Sequence, residues 1–397
     1  MRERAGPRCM QKGHEMKRLS DFVEFRDRRL ETRARLERLP MSTLLEAYLD
    51  GAVNIPDLEG FLDARAELVK PSLTLSHVKQ LVTRMVPEWT IHSRAQDQRI
   101  VRGHYDRGDD FFQAFLGERM VYTAGFFKDE SETLEQSQDN KLDRVCQKLL
   151  LRPDQELLDV GCGWGTLALH AARRYGVRAT GVTLSLNQAA FGRARSEQQG
   201  LEERATFECT DYRTMPYRKY DRIVSLEMVE HVGIKNLGKY FEIVYDRLTD
   251  DGLFLLQFTG LRRGGPEGVP PIGMRAEDMV WGLFMNKYIF PGADASLPLS
   301  EMLKAMEKAG FDVNSAENVS VHYALTVRRW HENWQRNREL VQRAYGERWY
   351  RLFHFFLAWS WRIGEQGTAA CFQVVAHKNL DRFDRRRFIQ HRTLALA

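Results

Sequence analysis

The sequence predicts an α/β protein: a mostly parallel β-sheet with helices on both faces, preceded by a helical N-terminal domain. Three observations carry this. From about residue 156, short β-branched runs alternate with helically spaced segments, the pattern of strands joined by crossover helices. A glycine-rich turn in LLDVGCGWG (Leu157 to Gly165) joins one such run to a helix. Before residue 95 the chain is densely charged and helically spaced, with no alternating runs.

The 397 residues, 43% of them hydrophobic, can bury one large core or two modest ones. The expected division is an N-terminal helical domain over 1–95 and a catalytic domain over 96–397 with an insertion at about 261–300. In the first domain RLSDFVEFRDRRLETRARLERL reads as a charged helix with a thin apolar stripe. TLLEAYLDG reads as a second helix, opened by a Thr43/Glu46 capping box and ended by Gly51. The Arg-rich face has two readings: a solvated surface, or a cationic face for phospholipid head groups, where each basic residue contributes ~1 kcal/mol. The five cysteines are scattered with no CxxC spacing, which argues for a reducing compartment and against a zinc ribbon. The N-terminus has no apolar core of a signal peptide. The richest apolar run, FFLAWSW (Phe355 to Trp361), falls far short of the roughly 20 residues that span a bilayer. A cytoplasmic protein with peripheral membrane contact and no nucleic-acid partner is expected; the net charge of +5 suits anionic surfaces but is weak evidence alone.

ELLDVG, RATGVTL, ATFECTD, YDRIVSLEM and GLFLLQFTG read as five buried strands. LALHAARRYG, LNQAAFGRARSEQQG and NLGKYFEIVYDRL read as intervening helices. Ligands of such sheets sit at the carboxyl ends of the strands, near the point where strand order reverses. SLEMVEHVG (Ser225 to Gly233) ends one strand and places Glu227, Glu230 and His231 there.

In the glycine turn, Gly161 and Gly163 let the backbone pass close to a ligand. NAD is the common alternative tenant of such turns, and packing alone is a third reading. Three features favour S-adenosylmethionine. Asp159 precedes the first glycine. The spacing is G-x-G-x-G rather than the G-x-G-x-x-G suited to a pyrophosphate. Asp211, with Tyr212 beside it, follows the third strand, where an adenine amino group would be read. The second strand ends in GVTLSLNQ without a carboxylate, so Thr183 and Gln188 are expected to hold the ribose hydroxyls. This predicts a Rossmann-like class I methyltransferase sheet of seven strands.

HYDRGDDFFQAFLGERMVYTAGFF, the glycine turn with its flanks, DYR, YDRIVSLEMVEHVG and NKYIFPG together resemble the cyclopropane-fatty-acyl-phospholipid synthase family. SLEMVEHVG, WGLFMNKYIFPGADAS, VHYALTVRRWHENW and YGERWYRLFHFFLAWS are most similar to its fungal sphingolipid 9-methyltransferase branch. The resemblance implies methyl transfer from S-adenosylmethionine to a double-bond carbon of an unsaturated phospholipid or sphingolipid, at a membrane surface, by a chain that is often a homodimer through its N-terminal helices.

An alkene is a weak nucleophile, so positioning in a dry site is the main demand, followed by removal of a proton from a carbocation. In the family's cyclopropane synthases that base is bicarbonate. The resemblance places its cage at Glu230, Tyr323, Gln257 and the backbones of Ala124 and Thr259. Gln257 stands where the family has histidine, so a changed proton-removal step, C-methylation rather than ring closure, is expected with Glu230 as its base; Glu227 is read as facing solvent or cofactor, and His231 as structural. Tyr122 and Thr123 are expected to close over the methionine end of the cofactor. Phe126, Phe127, Trp281, Phe284 and Met285 are expected to line the lipid, with plain core as their alternative. Rival readings are cyclopropane formation with bicarbonate, N-methylation of a small amine, and a lipid-binding protein with a relic cofactor site.

Overall fold

The computed structural model describes residues 17–72, 74, 79, 94–262, 273–293 and 297–389. The chain divides into two compact units, Met1–Pro71 and Ser72–Ala397, so the division falls ahead of the expected 95/96 boundary. The stretch 80–93, where the first domain was expected to end, lies outside the described residues, as do 263–272 and 294–296 of the expected insertion.

In the first unit, helices α1 (Arg28–Leu36), α2 (Met41–Leu49) and α3 (Leu58–Leu68) are joined by a two-stranded antiparallel pair, β1 (Glu24–Phe25) and β2 (Val53–Asn54). That pair was not expected; two-residue strands leave no periodic trace. Its core is Leu39, Leu44, Val53, Phe61 and Leu62, all fully buried. The capping box is absent. α2 starts three residues early, with Pro40 rather than Thr43 preceding its first residue, so Thr43 lies inside the helix and is not its cap. Gly51 does follow the helix, in the left-handed region at φ 76°. Helix α1 buries none of its residues and carries the i,i+4 pairs Arg35–Glu31 and Arg33–Glu37.

The second unit is a seven-stranded sheet with helices packed on it. Its helices, in order, are α4 (Arg94–Tyr105), α5 (Asp109–Leu116), α6 (Leu134–Lys148), α7 (Thr166–Tyr175), α8 (Leu186–Gln198), α9 (Leu237–Arg247), α10 (Ala276–Phe284), α11 (Leu299–Lys308), α12 (Ser320–Arg336), α13 (Arg338–Tyr345) and α14 (Glu347–Glu365). The strands are β3 (Glu156–Val160), β4 (Arg178–Thr183), β5 (Ala205–Cys209), β6 (Tyr220–Leu226), β7 (Leu248–Leu261), β8 (Phe311–Asn318) and β9 (Ala369–Lys378). They lie in the order β5-β4-β3-β6-β7-β9-β8, with β9 antiparallel to both neighbours. The five runs read from sequence are β3 to β7.

Strands covered on both faces need apolar side chains on both. Leu158, Ile223, Phe254 and Leu256 are accordingly shielded from water, each such side chain contributing about 1.5–3 kcal/mol. Strand order reverses between β3 and β6, which opens a crevice at their carboxyl ends. Among the described residues no helix is long and apolar enough to cross a membrane.

Candidate active site

The crevice holds a deep cavity formed by the turns after β3, β4, β5 and β6. Asp159, Gly161, Gly163, Thr183, Gln188 and Tyr212 line it, with Tyr122 and Thr123 from the segment after α5. Gly161 and Gly163 have φ of 80° and 54°. A Cβ on Gly161 would come within 2.5 Å of the Met228 side chain, while at Gly163 it would project into open space. The glycines thus leave room that side chains would fill. The Tyr122 hydroxyl is buried without a protein partner, a polar atom left for a ligand. Thr183 donates to the Gln188 carbonyl oxygen at 2.7 Å, so the pair that ends β4 is aligned in advance. These residues fit S-adenosylmethionine, a molecule with polar ends and a sulfonium cation between them.

Asp211 departs from expectation. It is not among the lining residues. Its carboxylate is taken by the Arg213 guanidinium at 2.6–3.0 Å, and Arg213 also reaches Asp97 on α4 at 2.7 Å. An Arg two positions away competes successfully for the oxygens that would read an adenine. Tyr212 does line the cavity, its ring edge-on to Tyr240 at 5.4 Å.

Lys141, which sequence reasoning missed, also lines the cavity and donates to the Thr123 hydroxyl at 2.9 Å. Burial brings its ammonium down to about 8, against the pull of Glu227 and Asp159. Burial pushes Asp159 up to about 7, opposed by Lys141. The signal was present: Lys141, Arg144 and Lys148 fall at i, i+3 and i+7, one face of α6.

The two carboxylates after β6 are set apart by their surroundings. Glu227 lines the cofactor cavity. Its backbone sits in the left-handed region at φ 54°, a conformation costly for a residue with a Cβ and a mark of functional sites. The Ala124 backbone N–H at 3.0 Å, the Gln257 amide at 2.5 Å and the Cys371 thiol at 3.7 Å all converge on its Oε1. Burial raises its pKa, while the Ala124 and Gln257 hydrogen bonds and the Lys141 charge lower it.

Glu230 lies off the main cavity, at a small recess with Thr259, Ile234 and Met302. Its Oε1 accepts from the Thr259 backbone N–H at 2.6 Å, while Oε2 is buried with no partner. Burial first, and Glu227 second, push it up to about 8, so it is an acid at neutral pH. Tyr323 packs on Ala124, Val319 and Cys371, and burial holds its phenol neutral.

The residues aligned with a bicarbonate cage are therefore gathered, but two of the expected donors, Ala124 and Gln257, are already committed to Glu227. The residues present do not fit an exchangeable anion there. Glu227 was read as facing solvent or cofactor; it faces the cofactor cavity, and its setting was hidden because its partners lie 30 to 144 positions away in sequence.

Among the expected lipid-lining residues, none lines the cofactor cavity. Phe126 is held between the His322 ring at 4.3 Å and the Arg144 guanidinium at 4.2 Å. Phe127 is buried and donates its backbone N–H to His322. Trp281 is buried, and Phe284 packs on Trp359 and Phe355 of α14 at 5.6 and 6.2 Å. Met285 opens a turn of π-helix after α10 and is half-buried. Core packing explains Phe127, whereas Phe126 is half-buried between His322 and Arg144. His231, read as structural, lines the cavity beside Tyr105, another residue that sequence reasoning missed.

Comparison with known proteins agrees with this fold. Residues 92–374 match the family model for mycolic acid cyclopropane synthetase. The chain is 44% identical over 381 residues to a sphingolipid C9-methyltransferase of Komagataella phaffii, covering 93% of this chain and 76% of that one. It is 45% identical over 350 residues to sphingolipid C9-methyltransferase 2 of Gibberella zeae, covering 87% and 66%. Among solved structures, the mycolic acid cyclopropane synthase CmaA1 complexed with SAH and CTAB aligns with a TM-score of 0.66 at 27% identity, over 71% of this chain and 98% of that one. With its family model matched over most of its length, the chain belongs to the mycolic acid cyclopropane synthetase family.

Proposed function

We propose that this chain is an S-adenosylmethionine-dependent lipid C-methyltransferase that adds a methyl group to a double-bond carbon of a sphingoid chain, a step of lipid biosynthesis. The names of its fungal relatives support the substrate class. The single observation that carries the mechanism is Glu227, a carboxylate that the protein fastens by three donors at the wall of the cofactor cavity.

Gly161, Gly163, Thr183, Gln188, Tyr122 and Thr123 hold the cofactor, which supplies a sulfonium-borne methyl electrophile. The rest of the work falls to the protein. Tyr105, Tyr122 and Trp164, which line the cavity, keep water from the cation that forms on the lipid. That cation must lose one proton: loss from the methylated carbon restores an alkene bearing a methyl branch. Glu227 accepts the proton, and the base role moves to it from Glu230, which is already protonated near neutral pH. Gln257 aims the carboxylate, and Tyr323 supplies a neutral hydroxyl beside it. Because the donors of a bicarbonate cage are engaged by Glu227, ring closure with that ion is the less favoured reading.

A lipid chain must be drawn from a bilayer, so the protein works at the membrane surface. The Arg-rich α1, with no buried residue, suits that contact, and the first unit is also the expected site of homodimerisation.

The test is lipid mass spectrometry after expression in a host that makes sphingolipids with an unsaturated sphingoid base. A gain of one CH2 that survives as an alkene, with a vinylic methyl in the proton NMR spectrum, is the expected product. A cyclopropane, or methylation of an amine only, would overturn the proposal.

A further inference from the structure

Four polar side chains lie in a row across the sheet. Glu317 of β8 is paired in register with Gln373 of β9, and Gln373 with Gln257 of β7. Leu226, the last residue of β6, is opposite Gln257, and Glu227 follows it. Gln257 and Gln373 are essentially inaccessible, at 0% and 2% exposure. Buried amides cost roughly 1–3 kcal/mol each when unpaired, so their hydrogen bonds must be complete.

They are. The Gln257 amide nitrogen donates to Glu227 at 2.5 Å, and its carbonyl accepts from the Gln373 nitrogen at 2.8 Å. The Gln373 carbonyl accepts from Lys148 at 2.5 Å. Lys148 stands on α6 at the far end of the row, where it and Arg144 also pair with Glu317.

An amide can turn either end to a neighbour, but an ammonium group only donates. Lys148 therefore requires the Gln373 oxygen. Gln373 then offers its N–H to the Gln257 oxygen, and Gln257 must offer its N–H to Glu227. Were the row reversed, a carbonyl would face Glu227, and only the protonated acid would satisfy it.

We propose that Lys148 is a positioning residue for the methyl-transfer reaction: through Gln373 and Gln257 it fixes the sense of the row, so that an N–H always points at Glu227 and holds that carboxylate ready to accept a proton. The inference rests on the reading of Glu227 as the base. Lys148 neither lines the cofactor cavity nor bonds to Glu227, so its hydrogen-bonding influence on Glu227 travels along the row. The other titratable groups that act on Glu227 or feel its charge are Lys141, Glu230, Cys371, Tyr105, Tyr122 and Tyr323. The hydrogen bonds of the two amide side chains run to Glu227, to each other and to Lys148, not to these groups, which remain as a constant background when the row is altered.

The test is the pH profile of single-turnover methylation, with an unsaturated ceramide in detergent micelles. Lys148→Met removes the fixed donor and should move the acid limb up by about half to one pH unit, with the high-pH plateau retained. Lys148→Arg keeps a donor and should restore the wild-type limb. Gln373→Glu, nearly isosteric, accepts from both neighbours, turns the Gln257 carbonyl to Glu227, and should move the limb by about one unit or more. A uniform rate loss with an unmoved limb, in Lys148→Met or Gln373→Glu, would overturn the inference. Infrared difference spectra against Glu227→Gln report the protonation of Glu227 without turnover. If the wild type methylates no lipid, the proposed reaction fails while these spectra still decide the row: an ionised Glu227 that becomes protonated at higher pH in Gln373→Glu supports it, and an unchanged titration overturns it.

Discussion

Replacing Glu230 by Gln isolates the cost of keeping a carboxyl group in its recess. In the unfolded chain this group ionises near 4.5; in the folded protein burial, aided by Glu227, pushes it up to about 8. The sign follows from the protons bound. Between these two values the folded state holds a proton that the unfolded chain has released. The stability it contributes is thus fully present below 4.5 and is lost as pH rises through 8. With one pKa unit equivalent to about 1.4 kcal/mol, and with both ends of the titration rounded off, the loss between about pH 5 and pH 8 is about 3.5 kcal/mol. Glu230→Gln cannot ionise and should lack this slope, while its amide keeps an oxygen for the Thr259 N–H. The assay is urea unfolding of the cofactor-free protein at several pH values, wild type against variant. Glu227→Gln should weaken the slope without removing it, because burial precedes the Glu227 charge among the causes. Equal pH slopes in wild type and Glu230→Gln would refute the reasoning, and with it the assignment of Glu230 as an acid at neutral pH.

Two further outcomes are expected. Gly161→Ala puts a methyl group against Met228 at a backbone angle that alanine resists, and should weaken S-adenosylhomocysteine binding at least about tenfold by calorimetry, since 1.4 kcal/mol suffices for that factor. Arg213→Ala withdraws a shared cation from the buried Asp97 and Asp211, and should destabilise the protein by about 3 kcal/mol in chemical denaturation.

The sheet was legible where its strands are buried on both faces, because only continuous apolar runs satisfy that environment. β8 was not: FDVNSAEN is an edge strand with mostly polar, exposed positions. β9 is apolar but lies after a long helical stretch and joins the sheet antiparallel, so no βαβ rhythm announces it. The glycine turn and the Thr183/Gln188 pair were legible because their partners are local. Asp211 shows the opposite case: the sequence puts a carboxylate after β5, but does not show that Arg213 folds back on it. The catalytic carboxylate was assigned to Glu230 by motif. What separates Glu227 from Glu230 is a positive backbone angle and donors from β7, β9 and the segment after α5, which only the assembled sheet brings together.

The left-handed backbone at Glu227 also narrows what descent by point substitution can do there. Glycine alone would relax the main chain, yet it would delete the charge and strand the Ala124 and Gln257 donors. Asn and Asp tolerate this region better but lose the ionisation or the reach, and every other replacement keeps the torsional penalty. A lineage that has adopted this acid is therefore held to it from two directions, and a switch to a borrowed anion would demand that both be surrendered in one step.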